Sequence, residues 1–321
     1  MHVLSVRNTF LAFMMGVFAA LLFGSCTEQS LVYVSENEAT VLIGIATGRA
    51  SERKASYEGN TRIGADEYDV KSAVVLIYNA NKLLEKSGVL GADGMLQLTL
   101  REGKKYIYII ANPSASLKSQ LDALPAYTQL NDMVSLANDY NAGNYPIQGL
   151  LMTGSIEETV SADQTNAITV PLTMCTARVD LYINKGGSDV EDLSLSSVKL
   201  KNARIAGYLF QDKNLAGSAT NTVGLLTNKI TSVTADGTLT GTQYTYPAKD
   251  ATDISFEVVV KHANASATDT YTVYLNASNN NSAVTLQKGC HYKVLITFSK
   301  DESGTVVVSG YTSKTNDFTI G

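Results

Sequence analysis

Cys290 and His291 stand side by side at the head of an apolar run, and a thiol beside an imidazole is a pairing that can generate a thiolate nucleophile. Activation requires the two side chains to face each other. Residues 292–298 alternate as a strand does, and neighbours on a strand point to opposite faces, so His291 reads as a strand-end histidine rather than a base. His262 stands at another strand end among polar residues and is expected to be solvated. The acidic pairs Asp66-Glu67, Glu157-Glu158 and Glu191-Asp192 read as turn residues. A glycosidase needs two carboxylates facing each other across a cleft, and nothing in these pairs supplies that. There is no G-x-S-x-G elbow, P-loop or dinucleotide glycine pattern. There is no C-x-x-C either, and beyond the leader the histidines are only His262 and His291, so no zinc site is expected. The expectation is a non-enzyme without catalytic residues, metal or cofactor.

The start of the chain carries a different chemistry. Arg7 is the only charge ahead of the uncharged apolar run 10–23, and the small residues Gly24 and Ser25 lead into Cys26. A positive start, an apolar middle and small residues before a cut site make a secretory signal. The run is too short and wrongly flanked for a spanning helix, which needs about 20 apolar residues. Leu22-Phe23-Gly24-Ser25-Cys26 resembles the lipobox of bacterial lipoproteins, in which the thiol becomes a thioether to diacylglycerol and the peptide is cut just before it. The resemblance makes residues 1–25 the signal peptide and Cys26 the lipidation site. Thr27, where an Asp would signal retention, favours the outer membrane by the same resemblance, and Glu28 is a sign of surface export. Each acyl chain contributes about 0.8 kcal/mol per buried CH₂, so several on one cysteine anchor firmly.

The 321 residues are 45% apolar and 17% charged, enough to bury a core and to build two domains of ordinary size. A net charge of −5 argues against nucleic acid as a partner. The polar surface is mainly Ser, Thr, Asn and Gly. Cys175 and Cys290 both lie in or beside strand-like runs. They could pair in an oxidising compartment or remain free and buried.

The elements that must position these residues are strands. In 39–47, Val41, Ile43 and Ile45 share one face, as a period of two requires. Residues 74–78 form a short, wholly apolar run. Leu96, Leu98 and Leu100 alternate after the turn signal Asp93-Gly94. Residues 106–111 are aromatic or β-branched almost throughout, until Asn112-Pro113 stops them. Further strands read at 160–172, 179–183, 198–205, 254–261, 271–275, 292–298 and 305–308, and the Asn-rich run 276–281 reads as a hairpin tip. One stretch has helical spacing instead: Leu117, Leu121 and Leu124, then Leu130, Met133, Val134 and Ala137, separated by Pro125. Two short helices packed over a sandwich edge are expected there. The predicted fold class is all-β, with domains 26–174 and 175–321 and the helices inserted in the first. No internal repeat is visible.

Several of these segments, in order, resemble the FimA-type fimbrillins, subunits of the type V pili of Gram-negative anaerobes. They are the lipobox at Cys26; the first strand 39–47 with a basic site after it; residues 70–79; residues 104–112, ending in an Ala-Asn step; Leu150-Leu151-Met152-Thr153-Gly154, like the family's Met-Thr turn; Ala177-Arg178-Val179, like the start of its second domain; and residues 286–298 with Lys288-Gly289. The resemblance implies two transthyretin-like β-sandwiches and passage to the outer membrane as a lipoprotein. It implies cleavage by an arginine-specific protease after the first strand, and replacement of that strand by the C-terminal strand of another subunit. Arg49, in Thr47-Gly48-Arg49-Ala50-Ser51, is the candidate cut, with Arg53 and Arg62 as alternatives. Val41, Ile43 and Ile45 mark the removable strand, and Phe318 and Ile320 in the tail mark the donor. The implied role is a structural subunit of an adhesive fimbria whose partners are other fimbrial subunits. The alternatives are an uncut basal anchor and a stand-alone adhesin or glycan-binding lipoprotein. The sequence names no receptor.

Overall fold

Where apolar residues alternate, the chain builds strands, and where they are continuous the strands are covered on both faces. The computed structural model describes residues 37–46, 69–124, 134–136, 149–162, 164–187, 190–211, 220–224, 232–233, 237–249, 252–263, 266–275, 285–300 and 306–315. Every described element belongs to the unit Glu38–Gly321.

The first sandwich packs a three-stranded sheet on a five-stranded one. In the smaller sheet β1 (Glu38–Ala46) lies between β4 (Met95–Arg101) and β8 (Thr165–Pro171). The larger runs in the order β3 (Leu84–Val89), β2 (Ala73–Asn79), β5 (Gly103–Ala111), β7 (Met152–Val160), β9 (Thr173–Met174). Val41, Ile43, Val75, Ile77, Ile107 and Ile109 meet between the sheets. The other face of the larger sheet is also apolar, with Val74, Leu76, Tyr78 and Ile110, which explains the unbroken runs in β2 and β5. It is covered by Leu117 and Leu121 of α1 (Ala115–Asp122), and by Leu209 and Tyr246 from further along the chain. Ser114 caps this helix by accepting a hydrogen bond from the Leu117 N–H at 3.0 Å.

The second sandwich faces two four-stranded sheets. One runs β14 (Thr238–Thr245), β10 (Ala177–Lys185), β17 (His291–Lys300), β18 (Val306–Thr315); the other runs β13 (Thr220–Gly224), β11 (Leu193–Arg204), β15 (Ser255–His262), β16 (Asp269–Tyr274). Val179, Leu181, Val198, Phe256, Val258 and Ile296 fill the space between them. A short pair joins β6 (Val134–Leu136) to β12 (Ala206–Tyr208).

The two sandwiches repeat one topology, although no repeat is visible in the sequence. β1 pairs antiparallel with β4 and parallel with β8, and β10 pairs antiparallel with β14 and parallel with β17. The inward residues correspond as well: Ala39, Val41, Ile43 and Ile45 against Ala177, Val179, Leu181 and Ile183. Only alternate positions are shared, so the intervening residues hide the correspondence from a residue-by-residue reading.

Other expectations need correction. Of the two helices the first forms, while Val134, counted in the second, lies in strand β6, held by pairing with β12 some 70 positions away in the chain, which local spacing cannot show; Leu130, Met133 and Ala137 lie outside the described residues. The single strand at 160–172 is two strands, since Val160 closes β7 and β8 starts at Thr165. Met152-Thr153-Gly154 opens β7 rather than making a turn, and Gly154 lets β7 lie directly on the chain at Val170 to Leu172, where a Cβ would collide with the Pro171 carbonyl. Glu157 and Glu158 lie on β7, where Glu157 pairs with Lys104 at 2.5 Å. Residues 276–281 lie outside the described residues.

Asn112 explains the Ala-Asn step. Its φ of 55° is left-handed, and its side chain is buried. The Nδ2 group donates to the carbonyls of Asp69 (2.8 Å) and Leu150 (2.9 Å), and Oδ1 accepts from the N–H of Lys71 (2.8 Å). The residues that lead into β2 are thereby stitched to the start of β7.

Candidate functional site

The place with a distinct structural role is the slot that β1 fills. β1 is an interior strand, with seven rungs to β4 on one side and seven to β8 on the other. Ala39, Val41 and Ile43 point into the core and are 2%, 0% and 0% exposed; Ile45 is half-buried against the same core. The walls are Leu96, Leu98 and Leu100 of β4 and Ile168 and Val170 of β8. Opposite the core, Thr40 is exposed and Leu42 half-buried, while Gly44 is buried beneath Met95. Withdrawal of β1 would leave an apolar trench flanked by two unpaired strand edges.

Of the residues singled out in the sequence, Val41, Ile43 and Ile45 are brought together here. Cys26, Arg49, Arg53 and Arg62, and Phe318 and Ile320, lie outside the described residues. Arg49, Arg53 and Arg62 all fall in the sequence between the last residue of β1 and the first of β2.

A second constellation escaped the sequence reading. Arg178 and Asp180, two apart on β10, share the face opposite the second core and are 2% and 1% exposed. Asp180 Oδ1 accepts from Arg178 Nε (2.9 Å) and Thr242 Oγ1 (2.6 Å), and its Oδ2 from Arg178 Nη2 (3.0 Å). His291 Nε2 lies 2.8 Å from the same Oδ2. Burial works to raise the Asp180 carboxyl, but hydrogen bonds from His291, Arg178 and Thr242 and the charge of Arg178 outweigh it, holding the group below the usual carboxylate range. The Thr242 hydroxyl is bound to the carboxylate and not to the imidazole, so the group is no nucleophile–base relay. It ties β10 to β14 and to β17. The period-two spacing Arg178-x-Asp180 was the available signal, but its burial depends on packing that the sequence does not display.

His262 is 9% exposed, its Nε2 3.3 Å from Asp269, so it is buried where solvation was expected. The β16 strand that brings Asp269 alongside covers it. Neither Cys175 nor Cys290 is in a disulfide, and both are buried. Burial pushes the Cys175 thiol up to about 11, against a hydrogen bond with Thr153 and the charge of Lys288, so it is not a thiolate at neutral pH. Cys290 packs in the second core while its neighbour His291 turns to Asp180.

Solved structures share this fold. A proposed cell adhesion protein from Bacteroides eggerthii is 14% identical, with a TM-score of 0.58 over 87% of this chain and 95% of that one. The tip fimbrial protein Mfa3 from Porphyromonas gingivalis, with a C-terminal truncation, is 13% identical at 0.58, over 86% and 99%. A fimbrial assembly protein from Parabacteroides distasonis is 15% identical at 0.51, over 85% and 98%. At these identities the likeness shows the fold alone. No curated protein matches the chain. A family model, described as fimbrillin-A associated anchor proteins Mfa1 and Mfa2, matches residues 54–317, most of the chain. The match is to the fimbrillin-A associated proteins, whereas the sequence motifs resemble the FimA-type fimbrillins. The chain belongs to the family of fimbrillin-A associated anchor proteins Mfa1 and Mfa2.

Proposed function

We propose that this protein is a structural, non-enzymatic subunit of a cell-surface fimbria, delivered to the outer membrane by acylated Cys26 and joined to its neighbours by exchange of β1. The observation that supports this is the position of β1: an interior strand whose chain link to β2 contains Arg49, Arg53 and Arg62. One cut there separates the filler strand and the lipid from the rest together, because Cys26 and β1 lie on the same side of it. Before the cut, the tether holds β1 at an effective concentration that reaches about millimolar, so a free donor loses. After it, β1 is held only by its contacts. A replacement strand regains the burial of the Val41 and Ile43 positions, about 1.5–3 kcal/mol each, and backbone pairing on both sides.

A second reading is favoured by the family description, which names anchor proteins. An uncut chain keeps both its lipid and its filler strand and stays at the membrane as the base of a fibre. N-terminal sequencing of the form found in surface fimbriae separates the two. A shaft subunit starts at Ala50, or just past Arg53 or Arg62, and Arg49→Ala then slows polymerisation without disturbing the fold. An anchor starts at acylated Cys26. If chains within the shaft of intact fibres begin at Cys26 with β1 in place, exchange of β1 is excluded.

A further inference from the structure

The slot of β1 has a steric feature that its two apolar walls do not require. Gly44 points away from the core yet is buried, because the Met95 side chain lies across it: a Cβ there would stand 2.7 Å from the sulfur and 3.3 Å from the methyl carbon. Gly44 and Met95 are opposite each other on the β1–β4 ladder, so their side chains occupy one face. The Met95 backbone is held in place. Its N–H donates to Asp93 Oδ1 at 3.0 Å, its carbonyl accepts from Gly91 N–H at 2.8 Å, and the turn between them is closed by Gly94 N–H on the Gly91 carbonyl at 3.0 Å. Only rotation of the thioether can make room. The sulfur and methyl are the flexible end of the side chain, so a small group at this position asks for a small rotation and a branched one for a larger displacement. Because the side-chain period is two, a strand seated one residue out of register would also present a large residue at this point.

We propose that Met95 gates the register of the β1 slot, admitting a strand only where a residue no bulkier than serine follows its second large inward side chain, and that residues 304–310 of a second copy of this chain are the strand that fits. This rests on the strand-exchange reading above. The native filler reads Ala39-Thr40-Val41-Leu42-Ile43-Gly44, a small residue, then Val and Ile inward, then glycine. Two other stretches of the chain carry a small residue, a Val, a further aliphatic residue and a small residue at the same spacing. One, Ser30 to Ser35, leaves with β1 when the link is cut. The other is Gly304-Thr305-Val306-Val307-Val308-Ser309. It repeats Thr and Val at the positions of Thr40 and Val41, puts Val308 where Ile43 stands, and brings Ser309 under Met95. Its partnering also favours transfer. β18 is an edge strand with ten rungs to β17 and, among the described residues, no ladder on its other side. In the slot it would gain rungs on two sides.

The test uses the protein cut after Arg49, with labelled peptides as probes: residues 38–46, residues 303–312, the latter with Ser309→Val, and residues 314–321. Capture of 38–46 and 303–312 is expected. Ser309→Val is expected to weaken capture by about fivefold or more, the low end of what overpacking a fitted site costs. Met95→Ala in the acceptor restores capture of the Ser309→Val peptide, which a general loss of strand propensity would not allow. If Ser309→Val binds as well as the parent, or Met95→Ala does not rescue it, the gate is wrong. If 38–46 is captured and 303–312 is not, or 314–321 displaces both, the assigned occupant is wrong while exchange stands. If no peptide enters, not even 38–46, exchange itself fails and the inference falls with it.

Discussion

Asp180 has both carboxylate oxygens occupied by donors from three strands, and its value lies in what those donors would otherwise lack. Arg178 is almost fully buried, and a guanidinium there without a counter-charge is costly. Asp180→Asn is therefore expected to destabilise the protein by about 3–5 kcal/mol at neutral pH, read from the urea midpoint. The pH dependence follows from the direction of the shift. The folded carboxyl titrates below its unfolded value of about 3.9, so its contribution is complete above that pH and is lost as pH falls through the lower folded value. Wild type and variant should accordingly differ most near pH 7, with the gap narrowing once the pH falls below the unfolded value of about 3.9. An equal gap above and below that value would mean that the substitution acts through packing and not through charge.

At the scale of elements, β1 is the test case. Ile43 is fully buried between β4 and β8, and Ile43→Ala should cost about 2–5 kcal/mol. Thr40, exposed on the same strand, should tolerate Ala within about 0.5 kcal/mol. In protein cut after Arg49 the same pair should differ in how fast the severed β1 fragment leaves, with Ile43→Ala faster; identical release rates would show that the strand is held elsewhere. β1 was legible in the sequence because it has one buried face and clean alternation. β2 and β5 were legible as apolar runs, although what covers their outer faces was not. β7 was not, because its middle residues Ser155 to Thr159 are exposed or half-exposed, leaving polar residues where alternation should show. β14 was missed because Thr238-Leu239-Thr240-Gly241-Thr242 carries little apolar signal, and its place comes from β10 alongside. The slot could be inferred from Val41, Ile43 and Ile45, but Met95 could not: its meaning depends on Gly44 being opposite, and register across a non-local ladder is not written in either segment alone.

For the whole molecule, the duplicated topology raises the question of why one first strand could be exchanged and its counterpart not. β1 and β10 occupy equivalent places, with equivalent inward residues. Their other faces differ. β1 presents Thr40, Leu42 and Gly44, with no ionisable group among them, whereas β10 presents Arg178, Asp180 and Tyr182 and is tied to both neighbours by buried polar bonds. β10 also lies mid-chain, so no single cut frees it. A peptide copying Ala177–Lys185 therefore separates inward fit from outward fit. Its Ala, Val, Leu and Ile match the pockets of the β1 slot, but Tyr182 arrives where Gly44 stands and meets Met95. That peptide should fail to enter the cut protein, and the same peptide with Tyr182→Gly should enter, as judged by fluorescence anisotropy of the labelled strand. Entry of the unmodified peptide would mean that inward pockets alone choose the strand. Failure of the glycine variant would mean that Arg178 and Asp180, taken from their partners on β14 and β17, exclude it instead.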